Sequence, residues 1–132
     1  MVGAFIRGSD YVEAMRMRRE MAMALNNTVL ARHDLLLTPA ALRPAGRFDG
    51  LGDDPLSIAG MTTIPFNVTG NPAMTMPCGF SASGLPLSMQ IVGRAFDEAT
   101  VFRLGHAYEQ ATGWTARRPA LDGMKREAVA AQ

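Results

Sequence analysis

The side chains able to do chemistry in this chain are few: one cysteine, two histidines, five serines and one lysine. Cys78 lies in the segment PFNVTGNPAMTMPCGF, residues 65–80. A cysteine nucleophile needs a lowered pKa and a histidine base within hydrogen-bond reach. No local sequence signature pairs Cys78 with His33 or His106, and cysteine is among the residues most often buried in proteins. We therefore favour a structural Cys78 over a Cys78–His106 hydrolase.

Serine chemistry has no complete set of partners in the sequence. None of the five serines stands in a GxSxG elbow. The single lysine, Lys125, lies beside Arg126 in a polar tail. A lysine base must lose its proton near neutral pH, which requires a dry site, and an exposed tail does not provide one. We therefore predict no catalytic residue in this chain.

Metal and phosphate sites have no support in the sequence either. One cysteine and two distant histidines match no zinc-ligand spacing. The acidic stretch DGLGDDP, residues 49–55, lacks the terminal glutamate of a calcium loop. Neither GxxxxGKS/T nor GxGxxG is present. We therefore expect no metal and no cofactor.

Length and composition limit the class of protein. The 132 residues suit one domain or part of one, and 48% of them are hydrophobic, which is enough for a core. A net charge of +1 provides no field for a nucleic acid, and no apolar run approaches the roughly 18 residues of a membrane span. A single cysteine is typical of a reducing, cytoplasmic setting. We expect a cytoplasmic single or partial domain over residues 1–132.

The elements that would position a site begin with a long helix. Residues 10–32 are predicted to be helical, with Asp10 and Glu13 as a capping box and Arg16 paired to Glu20 on a solvated face. Residues 35–38 follow as a short strand buried on both faces. The apolar residues that recur at helical spacing and predict a buried stripe are Tyr11, Met15, Ala22, Leu25 and Val29.

The remainder alternates loops with strands and a second long helix. We predict a surface loop at 40–56, a short helix around 57–69, and strands at 73–76 and 85–92 joined by a hairpin-like connection. The long helix that follows has Asp97 as its N-cap, Phe96 as a hydrophobic staple, a stripe of Val101, Leu104, Tyr108 and Ala111, and Gly113 as its C-terminal cap. Residues 119–132 are expected to form a loose tail. The pattern predicts an α/β fold with a mixed β-sheet flanked by helices.

The segment PFNVTGNPAMTMPCGF, followed by GLPLSMQIVGRAFDEATVFRLGHAYEQATGW, resembles the C-terminal end of the amidase signature family. DYVEAMRMRR and HDLLLTPA are similar to the helix-then-strand segment of that family. The likeness covers residues 10–42 and 57–114. Its motifs, N-x-x-G-x-P-A, then P-x-G, then G-L-P-x-x-x-Q, are specific as an ordered combination.

The resemblance implies amide hydrolysis by a serine nucleophile, a bridging serine and a neutral lysine, with an oxyanion hole in a glycine- and serine-rich loop. In the family these parts belong to an upstream stretch, and nothing like GGSSGG occurs here. The resemblance therefore implies a C-terminal part of an amidase, either a fragment or a truncated relative, that supplies scaffold and pocket wall.

A substrate-binding wall is predicted on the short helix. If residues 62–70 are helical, Thr63, Phe66, Asn67 and Gly70 share one face, and the resemblance implies that this segment borders the substrate cleft. Plain core packing is an equal alternative. The glutamine-dependent tRNA amidotransferases, which the pattern also resembles, carry an aspartate where this chain has Gly60. An uncharged or aromatic amide is therefore favoured over glutamine.

A second hypothesis is a catalytically inactive, stand-alone binding or oligomerisation module derived from the same fold. An excised half-sheet exposes a strand edge and apolar surface, which predicts a homodimer. The partner expected for the intact enzyme is a small-molecule amide, with no nucleic acid and no membrane.

Overall fold

Four helices and three strands form the part of the chain that the computed structural model describes, residues 2–46 and 61–119. The helices are α1 (Gly8–Asn27), α2 (Val29–Arg32), α3 (Ile64–Thr69) and α4 (Glu98–Thr112). The strands are β1 (Leu35–Pro39), β2 (Ala73–Phe80) and β3 (Pro86–Gly93), and short 3-10 helices occupy Val2–Phe5 and Trp114–Ala116. The predicted order of helices and strands is confirmed. Most of the predicted loop at 40–56 and of the tail at 119–132 lies outside the described residues.

The three strands form one sheet in the order β1-β3-β2, and both pairings are antiparallel. A tight turn joins β2 to β3, in which the Ser81 amide donates to the Leu85 carbonyl oxygen at 2.8 Å. Strands joined in this way run antiparallel. The predicted α/β class and the hairpin are confirmed. The pairing among the described strands is antiparallel throughout, where a mixed sheet was expected.

β2 is longer than predicted because it continues through Pro77. Pro77 pairs with Ser88 and Gly79 with Leu87, which leaves Cys78 as the extra residue of a β-bulge. Proline lacks an amide hydrogen and is tolerated on an outer strand, which β2 is among the described strands. Gly79 has a φ of 150°, a conformation that favours glycine. Pro77 and Gly79 therefore mark an irregularity within one strand, which was predicted to end at residue 76.

The main core lies between α4 and one face of the sheet. Met76, Ile91 and Val101 are buried there. The partly buried side chains around them are Leu35, Met74, Met89, Leu104 and Tyr108. The stripe predicted for α4 is thus confirmed except at its last position, since Ala111 is exposed.

Both predicted caps of α4 are confirmed. The Asp97 carboxylate accepts the Thr100 amide at 3.3 Å and the Thr100 hydroxyl at 2.7 Å. Gly113 ends the helix in the left-handed conformation, with a φ of 62°. The predicted staple is wrong, because Phe96 has a φ of 62° and its side chain is 94% exposed.

Two glycines permit close packing around α4. A Cβ atom at Gly93 would lie 2.7 Å from Val101 Cγ2 and 3.3 Å from the Asp97 carbonyl oxygen. A Cβ atom at Gly105 would overlap Met74 Cε, the flexible end of a long side chain. The space at Gly93 is therefore bounded by stiff neighbours, whereas the space at Gly105 is bounded by an adaptable one.

A pair of asparagines ties α1 to the end of β3. Asn71 is 7% exposed, and its Nδ2 donates to the Gly93 carbonyl oxygen at 2.9 Å and to Asn26 Oδ1 at 3.1 Å. Asn26 Nδ2 in turn donates to the Ala22 carbonyl oxygen at 2.8 Å. The two side-chain amides thereby satisfy one another and the backbone of two elements.

Arg94 closes the end of α2, immediately before β1. Its Nε donates to the Leu30 carbonyl oxygen at 2.8 Å, and its Nη2 donates to the His33 carbonyl oxygen at 3.2 Å. The same Nη2 lies 3.0 Å from Asp34 Oδ1. Carbonyl groups at a helix end that have no partner inside the helix are thus satisfied by a cationic side chain.

The start of α1 differs from its prediction. The helix begins at Gly8, so Asp10 lies inside the first turn, where its carboxylate accepts from Arg7 Nε at 3.2 Å. The predicted capping box is therefore wrong. Arg16 pairs with Glu13 at 3.6 Å, not with Glu20.

The apolar stripe predicted for α1 is largely exposed, because few of the described residues pack against it. Ala22 and Leu25 are half-buried, but Tyr11 is 62% exposed and Met15 40% exposed. None of the helices within residues 2–46 and 61–119 is long and apolar enough to cross a membrane.

Candidate functional site

The predicted substrate-binding face is built on α3. Thr63 is the residue before the helix, Pro65 lies in its first turn and Gly70 ends it with a φ of 76°. The amides of Phe66 and Asn67 both reach the Thr63 carbonyl oxygen, at 3.2 and 3.3 Å. The predicted short helix is therefore present, and Thr63 and Gly70 are the residues that flank it.

The four residues differ in burial. Phe66 is 7% exposed and packs into the protein, whereas Thr63 is half-buried. Asn67 and Gly70 are exposed. The face therefore has an apolar base and a polar, accessible rim, an arrangement found in walls of small-molecule sites. It is also compatible with plain core packing of Phe66 alone.

Arg18 of α1 is a contributor that sequence reasoning missed. Its Nε donates to the Val68 carbonyl oxygen at 2.6 Å, and a Cβ atom at Gly70 would lie 3.5 Å from its Nη2. A guanidinium group at the carbonyl end of a helix is stabilised by the helix dipole. The basic sequence RMRRE, residues 16–20, thus does more than form a solvated face of α1, because its Arg18 fixes the exposed end of α3. The RMRRE pattern carries no signal that singles out this arginine.

The start of α3 is fixed to the end of β1. The Thr62 hydroxyl donates to the Pro39 carbonyl oxygen, and Ala41 forms an isolated antiparallel bridge with Met61. The helix is therefore held at one end by the chain leaving β1 and at the other by Arg18.

Cys78 lies in a groove of about 530 Å³ beside the end of β1. The groove is mainly apolar and includes Leu37, Pro39 and Met89. The thiol is half-buried. In the described part of the chain no hydrogen bond joins Cys78 to a histidine; His33 is the residue after α2 and His106 is exposed on α4. Neither histidine is therefore placed as a base for a cysteine nucleophile.

The serines of the hairpin form a turn and no catalytic pair. Ser81 and Ser83 share a hydrogen bond of 2.9 Å, and Ser81 Oγ accepts the Leu85 amide at 3.1 Å. Within residues 2–46 and 61–119 no three His, Cys, Asp or Glu side chains are grouped to hold a metal ion. Lys125, Gly60 and the acidic stretch 49–55 lie outside the described residues.

Comparisons with a family model and with known proteins identify the same family. The model of the family described as Amidase matches residues 4–102. The A-type subunit of the glutamyl-tRNA(Gln) amidotransferase of Brevibacillus brevis is 39% identical over 125 residues, which are 90% of this chain and 26% of that protein.

Solved structures agree with the sequence matches. The structure of a 6-aminohexanoate cyclic dimer hydrolase superposes with a TM-score of 0.75 at 26% identity, over 89% of this chain and 27% of that one. A bacterial aryl acylamidase of the amidase signature family gives 0.70 at 26% identity, over 90% and 27%. The chain thus spans about a quarter of the length of the relatives that it matches.

Proposed function

The chain belongs to the amidase family, and on that premise we propose that it is a C-terminal part of an amidase, which hydrolyses a carboxylic amide to an acid and ammonia or an amine. In this proposal it supplies scaffold and one wall of the substrate cleft. The serine, bridging serine and lysine come from outside it. The observation that carries the proposal is the family match over residues 4–102 in a chain that spans a quarter of its relatives.

The proposed wall is the α3 face of Thr63, Phe66, Asn67 and Gly70. Its base is fixed by the buried Phe66, and its rim carries the exposed Asn67 amide, which can donate and accept hydrogen bonds. Fixation of α3 at both ends supports this role, because a substrate-binding element has to be held rigidly by its neighbours.

We propose an uncharged or aromatic amide as the substrate. An ammonium group on a substrate needs a counter-charge, and Gly60 stands where a carboxylate was expected for glutamine. The similarity to an aryl acylamidase supports an aromatic amide. The higher identity to an amidotransferase supports glutamine instead, so the two substrates have to be compared directly. The single cysteine supports a cytoplasmic location.

An assay with simple amides tests the expectation that this chain alone does not catalyse hydrolysis. Benzamide, an anilide and glutamine are incubated with the purified chain, and ammonia or amine release is measured. We expect no turnover above that of buffer. Hydrolysis that is abolished by replacing one of its own serines would refute the proposal.

The pocket wall is tested in a chimaera. Residues 4–119 replace the matching segment of the aryl acylamidase, and anilide hydrolysis is followed. Asn67→Ala is expected to raise KM several-fold, since a wall residue acts mainly on substrate binding. The matched control is Asn27→Ala at the exposed end of α1. Equal kinetics of the two variants would refute the wall, and an inactive chimaera that is folded by circular dichroism would refute the scaffold role.

A second candidate function is a stand-alone oligomerisation module, a homodimer formed through a sheet edge or apolar surface. The observation that favours it is the set of large apolar side chains at the start of the chain that the described residues leave exposed: Phe5, Ile6, Tyr11, Val12 and Met15. Such a surface is typical of an interface. Sedimentation equilibrium distinguishes the candidates, because a defined dimer supports the module and a monomer or aggregate contradicts it.

A further inference from the structure

A second groove, of about 540 Å³, lies between the β2–β3 turn and the segment that follows α4. Phe80 and Pro86 line it from the hairpin, and Trp114, Arg117 and Arg118 line it from the C-terminal side. Its volume is within the range of small-molecule sites. None of these residues belongs to the α3 face, so the groove is separate from the proposed substrate wall.

The floor of the groove is aromatic. The rings of Phe80 and Trp114 lie 5.9 Å apart, centroid to centroid, with their planes tilted by 59°. Both side chains are half-buried, so each keeps part of its surface open to the groove. A tilted aromatic pair with a proline beside it provides flat apolar surface against which a further ring can stack.

The charge of the groove is positive. The Arg117 guanidinium carbon lies 4.1 Å from the centroid of the Phe80 ring, a cation–π contact. A guanidinium group that packs on a ring still carries N–H donors that can bind an acceptor. Arg118 adds a second guanidinium group, and the described residues that line the groove include no aspartate or glutamate.

We propose that this groove binds a small aromatic carboxylate. The ring of the ligand stacks on Trp114, and the carboxylate accepts hydrogen bonds from Arg117 and Arg118. A planar carboxylate matches the paired N–H donors of a guanidinium group. An uncharged aromatic ligand would leave the arginines without an acceptor, and an acetate ion would leave the aromatic floor uncovered. The groove therefore selects a ligand with both parts.

Trp114 is the only tryptophan of the chain, so its fluorescence reports on this groove alone. The full chain is titrated with benzoate, benzamide, acetate and inorganic phosphate, with excitation at the red edge of tryptophan absorption. Benzoate is expected to change the emission saturably. The other three ligands are expected to need at least about tenfold higher concentrations, because each lacks the ring or the carboxylate.

Substitution of the two arginines then tests whether their charge binds the carboxylate. Arg117→Gln and Arg118→Gln are each expected to raise the Kd for benzoate by about tenfold. Arg103→Gln, at an exposed position on α4, is the matched control and is expected to leave the Kd unchanged. Circular dichroism establishes that each variant retains the helix content of the parent chain.

Three results of the fluorescence titrations would overturn the proposal: no saturable response to benzoate, equal responses to benzoate and benzamide, or equal effects of Arg103→Gln and the two groove substitutions. Saturation-transfer NMR on the unmodified chain provides a test that needs no variant. The aromatic protons of benzoate should receive transfer that cyclohexanecarboxylate does not compete away. Full competition by cyclohexanecarboxylate would exclude ring stacking and refute the site.

Discussion

Replacement of Asn71 by alanine tests whether the asparagine pair holds α1 to the sheet. The side chain is nearly fully buried and donates two hydrogen bonds, to the Gly93 carbonyl oxygen at 2.9 Å and to Asn26 Oδ1 at 3.1 Å. Alanine removes both hydrogen bonds and takes this partner from the buried Gly93 carbonyl oxygen, while Asn26 Oδ1 keeps the Ala95 amide at 3.4 Å.

The expected loss follows from these contacts. Each hydrogen bond contributes about 1 kcal/mol, and a buried acceptor left without its partner adds about 1 kcal/mol more. The free energy of unfolding should therefore fall by about 2–4 kcal/mol. Asn26→Ala removes the same pair from the other side, so the double variant should lose less than the sum of the single ones, by about 1 kcal/mol.

Urea unfolding of the full chain, followed by circular dichroism, measures these differences as shifts of the transition midpoint. The matched control is Asn27→Ala, an exposed asparagine next to Asn26, which should change the free energy of unfolding by about 0.5 kcal/mol or less. Equal shifts for Asn71→Ala and Asn27→Ala would refute the assignment. Additive single effects at Asn26 and Asn71 would show that the two residues act independently.

Four further substitutions test the packing around β3 and α4 and the caps of α2 and α4. Gly93→Ala should destabilise the chain by about 1–3 kcal/mol because stiff neighbours crowd the new Cβ atom. Gly105→Ala should change the free energy of unfolding by no more than about 1 kcal/mol, because its neighbour can move and alanine favours the helix. Equal urea midpoints for the two variants would contradict this reasoning. Arg94→Ala removes the donors at the end of α2 and should lower the free energy of unfolding by about 1–3 kcal/mol, and an effect no larger than that of Arg103→Ala would rule it out. Asp97→Ala removes the N-cap of α4 and should lower the thermal midpoint in line with about 1 kcal/mol, whereas an unchanged midpoint would show that the cap is dispensable.

The parts of the fold that depend on neighbouring residues were predictable. Asp97 and Gly113 act through contacts within a single helical turn, and the β2–β3 turn is built from residues that favour tight turns. The end of α3 was predictable in the same way, because Gly70 adopts the left-handed conformation that glycine favours. In each case the sequence itself contains the interacting partners at short range.

The parts that depend on distant contacts were not predictable. Helical spacing indicates an apolar side for α1 but not what covers it, and Tyr11 proves to be 62% exposed within the described residues. Arg18 reads as a surface charge until α3, 50 residues away, is placed beside it. The burial of Phe66 and the exposure of Asn67 are also set by packing. The periodicity of a sequence indicates which side of a helix a residue lies on, but not how far its side chain is buried.

Arg94 binds the end of α2 from a position 64 residues further along the chain. During synthesis, α1, α2 and β1 leave the ribosome before β3, the strand with which β1 pairs, and before Arg94. β2, β3 and α4 follow one another directly, so their hairpin and helix can form as soon as they are synthesised. The later half of the molecule should fold first, while the earlier half waits with an open strand that neighbouring nascent chains can capture.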